Sequence, residues 1–294
     1  MASLRVLYRD YDRAPYLYTV RRAAEAYGLD VALEKAPLGG RFPEMLQEGA
    51  TDVLAENYWG LQSLRASGVK LLSVATAVTN LNEKLFVAPS VTGVADLAGK
   101  SVALRGVGPS ALIGSLWLKD HCPTAKGVVV SEDEVGRWGN WKKVVSGECA
   151  AAFVTNFYQD APLGAGLKEL PIAPYGFIGN VTFTTTEAIA ATRRDDIQAL
   201  VNAAFDASRL FKHDPVAALS IFAGEPRKLM EIAEDREMER VYAILAGELS
   251  EVPMPSAAGI ANTHRMRLAR NPELAAFNPL VMWDFSFARA ALAR

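Results

Sequence analysis

The sequence predicts an α/β chain folded as two lobes, each a mainly parallel sheet with crossover helices, and three observations lead there. Through the first hundred residues, short apolar runs alternate with helical stretches, the pattern of strands joined by crossover helices. From about Leu85 the alternation starts again, which calls for a second sheet. The 294 residues, 50% hydrophobic and 22% charged, are too many for one simple core and suit two.

Taken in order, Leu4-Arg5-Val6-Leu7-Tyr8 reads as the first strand, followed by a helix to about Tyr27 that Gly28 stops. Residues 30–34 form a strand, 41–48 a short helix ended by Gly49, 51–55 a strand, 58–66 a helix and 69–75 a buried strand. Gly or polar residues punctuate each boundary. In the second half, residues 84–88 are extended, 94–98 form a short helix, 101–104 a strand, and a helix begins near Pro109-Ser110. Strands follow at 127–130, 150–154 and 167–170, with a helix at 138–145. After the crossing segment marked by Pro171, Pro174, Gly176 and Gly179, a strand begins at Val181, and helices follow at 193–212, 215–223 and 227–245.

Composition removes several functions. Thirty-one Lys and Arg against 33 Asp and Glu lack the basic excess of a nucleic-acid binder. Cys122 and Cys149 stand in unrelated contexts without CxxC spacing, and the three histidines, His121, His213 and His264, do not cluster. No metal site, cofactor or disulfide framework is therefore expected. The longest apolar runs, such as residues 69–78, fall short of the roughly 20 residues of a membrane span, so no membrane insertion is expected. Met-Ala-Ser leads straight into the first strand without an apolar leader. The expectation is a cytoplasmic protein if this N-terminus is complete and a periplasmic one otherwise.

Three segments carry a family resemblance. Thr92-Gly93-Val94-Ala95-Asp96-Leu97-Ala98-Gly99-Lys100-Ser101-Val102-Ala103 is similar to the start of the second lobe in solute-binding proteins for nitrate, sulfonates, taurine and thiamine-pyrimidine precursors. Gly49-Ala50-Thr51-Asp52-Val53 and Val145-Ser146-Gly147-Glu148-Cys149-Ala150-Ala151 resemble that family's strand openings, the latter without the usual Asp after Glu. The resemblance implies the two-lobed type II periplasmic-binding-protein fold with a ligand cleft between the lobes. Lobe I would comprise residues 1–86 and 181–294 with the C-terminal helices, and lobe II residues 87–180. Strand carboxyl ends and helix amino ends would converge on the cleft and favour a small organic anion.

Candidate residues follow from position. Arg105-Gly106-Val107-Gly108-Pro109-Ser110 leads from a strand into a helix, so Arg105, the backbone near Gly108 and the Ser110 hydroxyl would hold a carboxylate, sulfonate or phosphate; Ser110 would serve equally as a plain helix cap. Asp10 and Tyr11 follow the first strand, with Asp12 a candidate helix cap, and Arg41 opens a helix. Glu56-Asn57-Tyr58-Trp59 joins a carboxylate, an amide and two aromatic rings at the end of a strand; the alternative is a core Trp59 and a capping Asn57. Asn80, Thr155 and Asn156 lie at polar segment ends.

Some relatives with this fold are decarboxylases or other lyases. In that chemistry Glu56 or Tyr11 would protonate the carbanion left by decarboxylation, Arg105 or Arg41 would orient a second anionic group, and Tyr58 and Trp59 would stack on an aromatic ring. The expectation is thus a cytoplasmic enzyme of decarboxylase or lyase type acting on a carboxylate or sulfonate. The alternative is the solute-binding component of an ABC importer, with the permease as partner if the chain is exported.

Overall fold

The computed structural model describes residues 3–9, 11–36, 42–106 and 110–294. Its strands are β1 (Leu4–Tyr8), β2 (Val31–Lys35), β3 (Val53–Glu56), β4 (Leu71–Thr76), β5 (Glu83–Val87), β6 (Ser101–Arg105), β7 (Lys126–Val130), β8 (Ala151–Thr155), β9 (Lys168–Leu170) and β10 (Thr182–Thr186). They build two five-stranded sheets, ordered β2-β1-β3-β10-β4 and β7-β6-β8-β5-β9. In the first, β1 runs parallel to β2 and β3, while β10 is antiparallel to β3 and β4. In the second, β6 runs parallel to β7 and β8, while β5 is antiparallel to β8 and β9. Each sheet is therefore mixed, and the amino end of its reversed strand lies beside the carboxyl ends of its neighbours: Thr182 opposite Glu56 and Thr76, and Glu83 opposite Thr155.

The chain divides into two compact units, one of Met1–Asn80, Gly176–His264 and Asn271–Arg294, the other of Leu81–Tyr175 and Arg265–Arg270. These bounds differ from the expected 86/87 and 180/181. The first expected cut falls inside β5, which pairs with β8 and β9 and stays whole in the second sheet. The return comes at Gly176 because it bridges to Asn80 in antiparallel fashion.

In the first unit β3 lies inside the sheet with all four residues buried, three apolar ones followed by Glu56. Its core gathers Leu7, Phe42, Leu54, Tyr58 and Leu71 with Ile260, Met282 and Trp283. The last two come from the C-terminal stretch, expected to belong to this lobe but without elements assigned beyond residue 245. Trp283 bridges to Ser73 and the Asp284 N–H donates to the Ser73 carbonyl, so this stretch covers the outer edge of β4. In the second unit Gly114 and Gly127 make room for Leu104: a Cβ would sit 2.7 and 2.8 Å from its methyl carbons, respectively. Cys122 and Cys149 are buried free thiols.

Two predicted helices change. The 138–145 segment is helical only over Lys142–Val145, preceded by a turn in which Trp138 has φ +65° and by a helix Glu132–Val135 whose N-terminus Ser131 caps. The 227–245 segment breaks into Glu225–Leu229 and Asp235–Glu248. Arg227 holds the break, donating to the carbonyls of Ile232 (3.0 Å) and Ala233 (2.5 Å) and to Asp235 (2.6 Å).

Two ion pairs generate predictions. In the first unit Arg13 meets Glu248 at 2.5 Å, both buried. Glu248→Ala removes the buried carboxylate facing the guanidinium, with Asp12 3.7 Å away on its other side, and is expected to cost about 3 kcal/mol in urea unfolding, whereas the double replacement Arg13→Met with Glu248→Leu recovers most of it. In the second unit Arg265 forks onto Asp120 (2.8 and 2.9 Å), which also accepts from the Tyr175 hydroxyl (2.7 Å). The Arg265 hydrogen bonds bring Asp120 down to about 2, against a partial rise from burial and with further help from Tyr175. A depressed carboxylate contributes stability above its unfolded value of 3.8 and loses it as pH falls through about 2. Unfolding curves of wild type and Asp120→Asn, separated at neutral pH, are expected to converge in that acid window.

Candidate functional site

In the first unit, β1, β2 and β3 are parallel and end together, and the side chains at that edge are already engaged with one another. Glu56, 8% exposed, accepts from the Asn57 amide at 2.5 Å and lies 3.7 Å from the Arg9 guanidinium, which itself packs 4.4 Å over the Phe42 ring. Its surroundings are therefore polar and ion-paired rather than apolar. Tyr11, in the 3-10 turn Tyr11–Arg13, is half-exposed, and the Lys35 ammonium sits 3.0 Å from its ring centroid. Asp12 does not cap the next helix; Arg13 occupies that position without a side-chain cap. Asp10 and Arg41 lie outside the described residues.

Tyr58 requires a correction. It is fully buried in the core, donates its hydroxyl to the Pro279 carbonyl (3.2 Å) and accepts the Trp283 indole N–H (3.2 Å), so its ring has no face to offer a ligand. The apolar core of the first sheet outcompeted the edge for that ring. Trp59 is half-buried, with its indole N–H on the Ile178 carbonyl (2.8 Å) and its ring tilted against Phe177. Asn80 is exposed and reaches the Thr79 hydroxyl at 3.5 Å.

The second unit gathers a tighter group at the carboxyl ends of β6 and β8. Arg105 ends β6, and Ser110 begins the helix Ser110–His121; Gly108, between them, lies outside the described residues. Ser110, expected to offer its proton to an anion, gives it instead to Oε1 of Glu83. Its Oγ in turn accepts from Arg105 Nη2 at 3.2 Å. Arg105 Nη1 stands 3.6 Å from Glu132, and the guanidinium lies 3.8 Å over the Trp138 ring. Trp138 stacks on Tyr158 at 4.4 Å with 14° between the planes. Its left-handed backbone is costly for a bulky residue, and the turn that imposes it is fixed: a Cβ on Gly139 would come 2.2 Å from the Val135 carbonyl oxygen. Thr155 pairs with Glu83 in the ladder, and the next residue, Asn156, keeps a buried Oδ1 without a hydrogen-bond partner among the described residues.

Burial pushes the Glu83 carboxyl up, while the Ser110 hydrogen bond and the Arg105 charge pull it partly back. Burial brings Arg105 down, against the charges of Glu83 and Glu132. Sequence reasoning missed Glu83, Trp138 and Tyr158. Glu83 is the first residue of a strand whose reversed direction local sequence does not announce, and Trp138 fell in a segment expected to be helical. Among the described residues no three His, Cys, Asp or Glu side chains are grouped to hold a metal. A raised carboxyl contributes stability below its unfolded value and loses it as pH rises through the folded one. Wild type is therefore expected to lose stability relative to Glu83→Gln as pH rises from 4 towards neutrality, in unfolding free energies measured pH by pH.

Comparison with known proteins adds the following. Residues 25–218 match the family model described as NMT1/THI5 like. No curated protein matches the chain by sequence. A chain from Methylobacillus flagellatus KT, assigned as the periplasmic sulfonate-binding protein SsuA of an ABC transporter, is similar in structure with a TM-score of 0.69 at 18% identity, covering 100% of this chain and 94% of its own. The periplasmic aliphatic sulphonate binding protein SsuA of Escherichia coli gives 0.61 at 15%, covering 95% and 90%. The desulfurization enzyme DSZB gives 0.60 at 14%, covering 99% of both chains. Identities this low speak for the fold alone, which is the open-sheet α/β architecture of type II periplasmic binding proteins.

Proposed function

The chain belongs to the NMT1/THI5-like family, and on that premise we propose that it binds a small organic anion, a carboxylate or sulfonate, at the carboxyl ends of its strands. The observation that carries this reading is Arg105: a half-buried guanidinium at the end of β6, beside the first residue of the helix Ser110–His121 and backed by the Trp138 ring. Such a cation offers forked donors to an anion, and the aromatic face behind it favours an organic rather than an inorganic one. The sulfonate-binding names of two structural neighbours support the same ligand class. In this reading the protein is a solute-binding component, and once exported its partner is the permease of an ABC importer.

The decarboxylase or lyase reading receives less support. The two groups expected to supply its proton are engaged elsewhere, Glu56 with Arg9 and Asn57 and Tyr11 under the Lys35 ammonium. A ligand at a hundredfold excess over its Kd adds about 2.7 kcal/mol of stability. Thermal unfolding with aryl and alkyl carboxylates and sulfonates is expected to show a rise of that order for at least one of them, with the ligand recovered unchanged by chromatography. The rise is expected to vanish in Arg105→Met. Time-dependent consumption of the ligand by wild-type protein would overturn the binding reading in favour of an enzyme.

A further inference from the structure

Glu83 is 7% exposed, and among the described residues one of its two carboxyl oxygens is served. Oε1 accepts the Ser110 proton; Oε2 is buried and has no hydrogen-bond partner among the described residues. A buried carboxyl with an open oxygen is costly, whether that oxygen waits for a donor or carries a proton without an acceptor. The donors an incoming anion would use are drawn toward the same group, since Arg105 donates to Ser110 and Ser110 to Glu83. While Glu83 stays ionised, a second anion placed beside it meets like charge.

We propose that Glu83 sets which ligands the second unit accepts: it meets the anion as a carboxylic acid through Oε2, so that each anion enters together with one proton from solvent. The inference rests on the anion-binding reading above. It gives the orphaned oxygen a partner and leaves the Arg105–Ser110–Oε1 hydrogen bonds in place. Arg105 donates to Ser110, Ser110 to Oε1, and the protonated Oε2 to the anion, a run of hydrogen bonds oriented the same way and mutually polarising. Charge balances as well: the added proton cancels the added anion.

The neighbouring charges favour this exchange. From β6 comes Arg105, and from the helix Glu132–Val135 comes Glu132, which already draws on the same guanidinium. Arg137, from the following turn, adds a second cation near Arg105 and Trp138, and Tyr158 adds its phenol. The helix Ser110–His121 presents Ser110 and β8 presents Thr155, both uncharged, while Lys84 on β5 itself is taken by Glu169. With Glu83 and Glu132 both ionised, Arg105 stands between two carboxylates; protonating Glu83 leaves one of them and makes room for the ligand's charge. The raised position of the carboxyl brings that proton closer to neutral pH. An acceptor-only group such as a sulfonate, fully ionised wherever Glu83 holds its proton, fits this arrangement best, because a carboxylate competes with Glu83 for the same proton.

The test is isothermal titration of the full chain with benzenesulfonate, propanesulfonate and benzoate, across pH and in buffers of different ionisation enthalpy. Wild type is expected to take up no proton below the point where Glu83 titrates and one proton per anion above it, where affinity falls about tenfold per pH unit. Glu83→Gln, whose amide N–H still donates, is expected to bind with an affinity level across pH. Ser110→Ala removes the hydrogen bond that holds the carboxyl down and is expected to move the bend in the profile upward. Binding without proton uptake at any pH, or with the same pH dependence in wild type and Glu83→Gln, overturns the proposal while leaving the anion-binding reading in place. If Glu83→Gln fails to fold by circular dichroism, an unmoved bend in Ser110→Ala overturns it instead. A wild-type protein that binds none of the three anions at any pH removes the anion-binding reading and this inference with it.

Discussion

A sheet of parallel strands that admits one strand from the opposite direction brings that strand's amino end to the edge where its neighbours' carboxyl ends stop. Both sheets of this chain are built so, with β10 reversed in the first and β5 in the second. Residues far apart in sequence then share one edge. Thr182 stands opposite Glu56, and Glu83 opposite Thr155 and within reach of Ser110. The candidate site of the second unit depends on this reversal, since a parallel β5 would have carried Glu83 to the far edge, away from Arg105 and the start of the helix that follows it.

That edge is electrostatically unfinished. Arg105 is half-buried between Glu83 and Glu132, its face on the Trp138 ring, and burial works against the charged forms of both Arg105 and Glu83. A low-dielectric setting strengthens each satisfied contact and makes each unsatisfied atom costly, so the oxygens of Glu83 and Asn156 that have no partner among the described residues stand out. The first unit's edge is more complete: Glu56, Asn57, Arg9 and Phe42 engage one another, and Lys35 covers Tyr11.

Aromatic side chains show how packing decides roles that composition leaves open. Tyr58 and Trp59 are adjacent, yet the ring of Tyr58 is enclosed by the core beside Trp283 while that of Trp59 remains half-buried against Phe177. Trp138 and Tyr158, twenty residues apart, stack face to face beside Arg105. The turn that lifts Trp138 into place holds it in a backbone conformation a large residue ordinarily avoids, and strain of that kind collects where a side chain must be aimed.

By itself the sequence determined the α/β class, nearly every strand and the stops at Gly28 and Gly49, because apolar runs and left-handed glycines are local signals. It also determined that Arg105 and Ser110 flank the same strand-to-helix loop and that Glu56 ends a strand, since five-residue neighbourhoods carry that much. Tertiary structure alone decided the direction of β5 and β10, the break at Arg227, the enclosure of Tyr58 by a distant C-terminal tryptophan, and the meeting of Glu83 with Ser110 across 27 positions. Strand direction and side-chain partnership are settled by which surfaces are buried together, and no local run of residues encodes that.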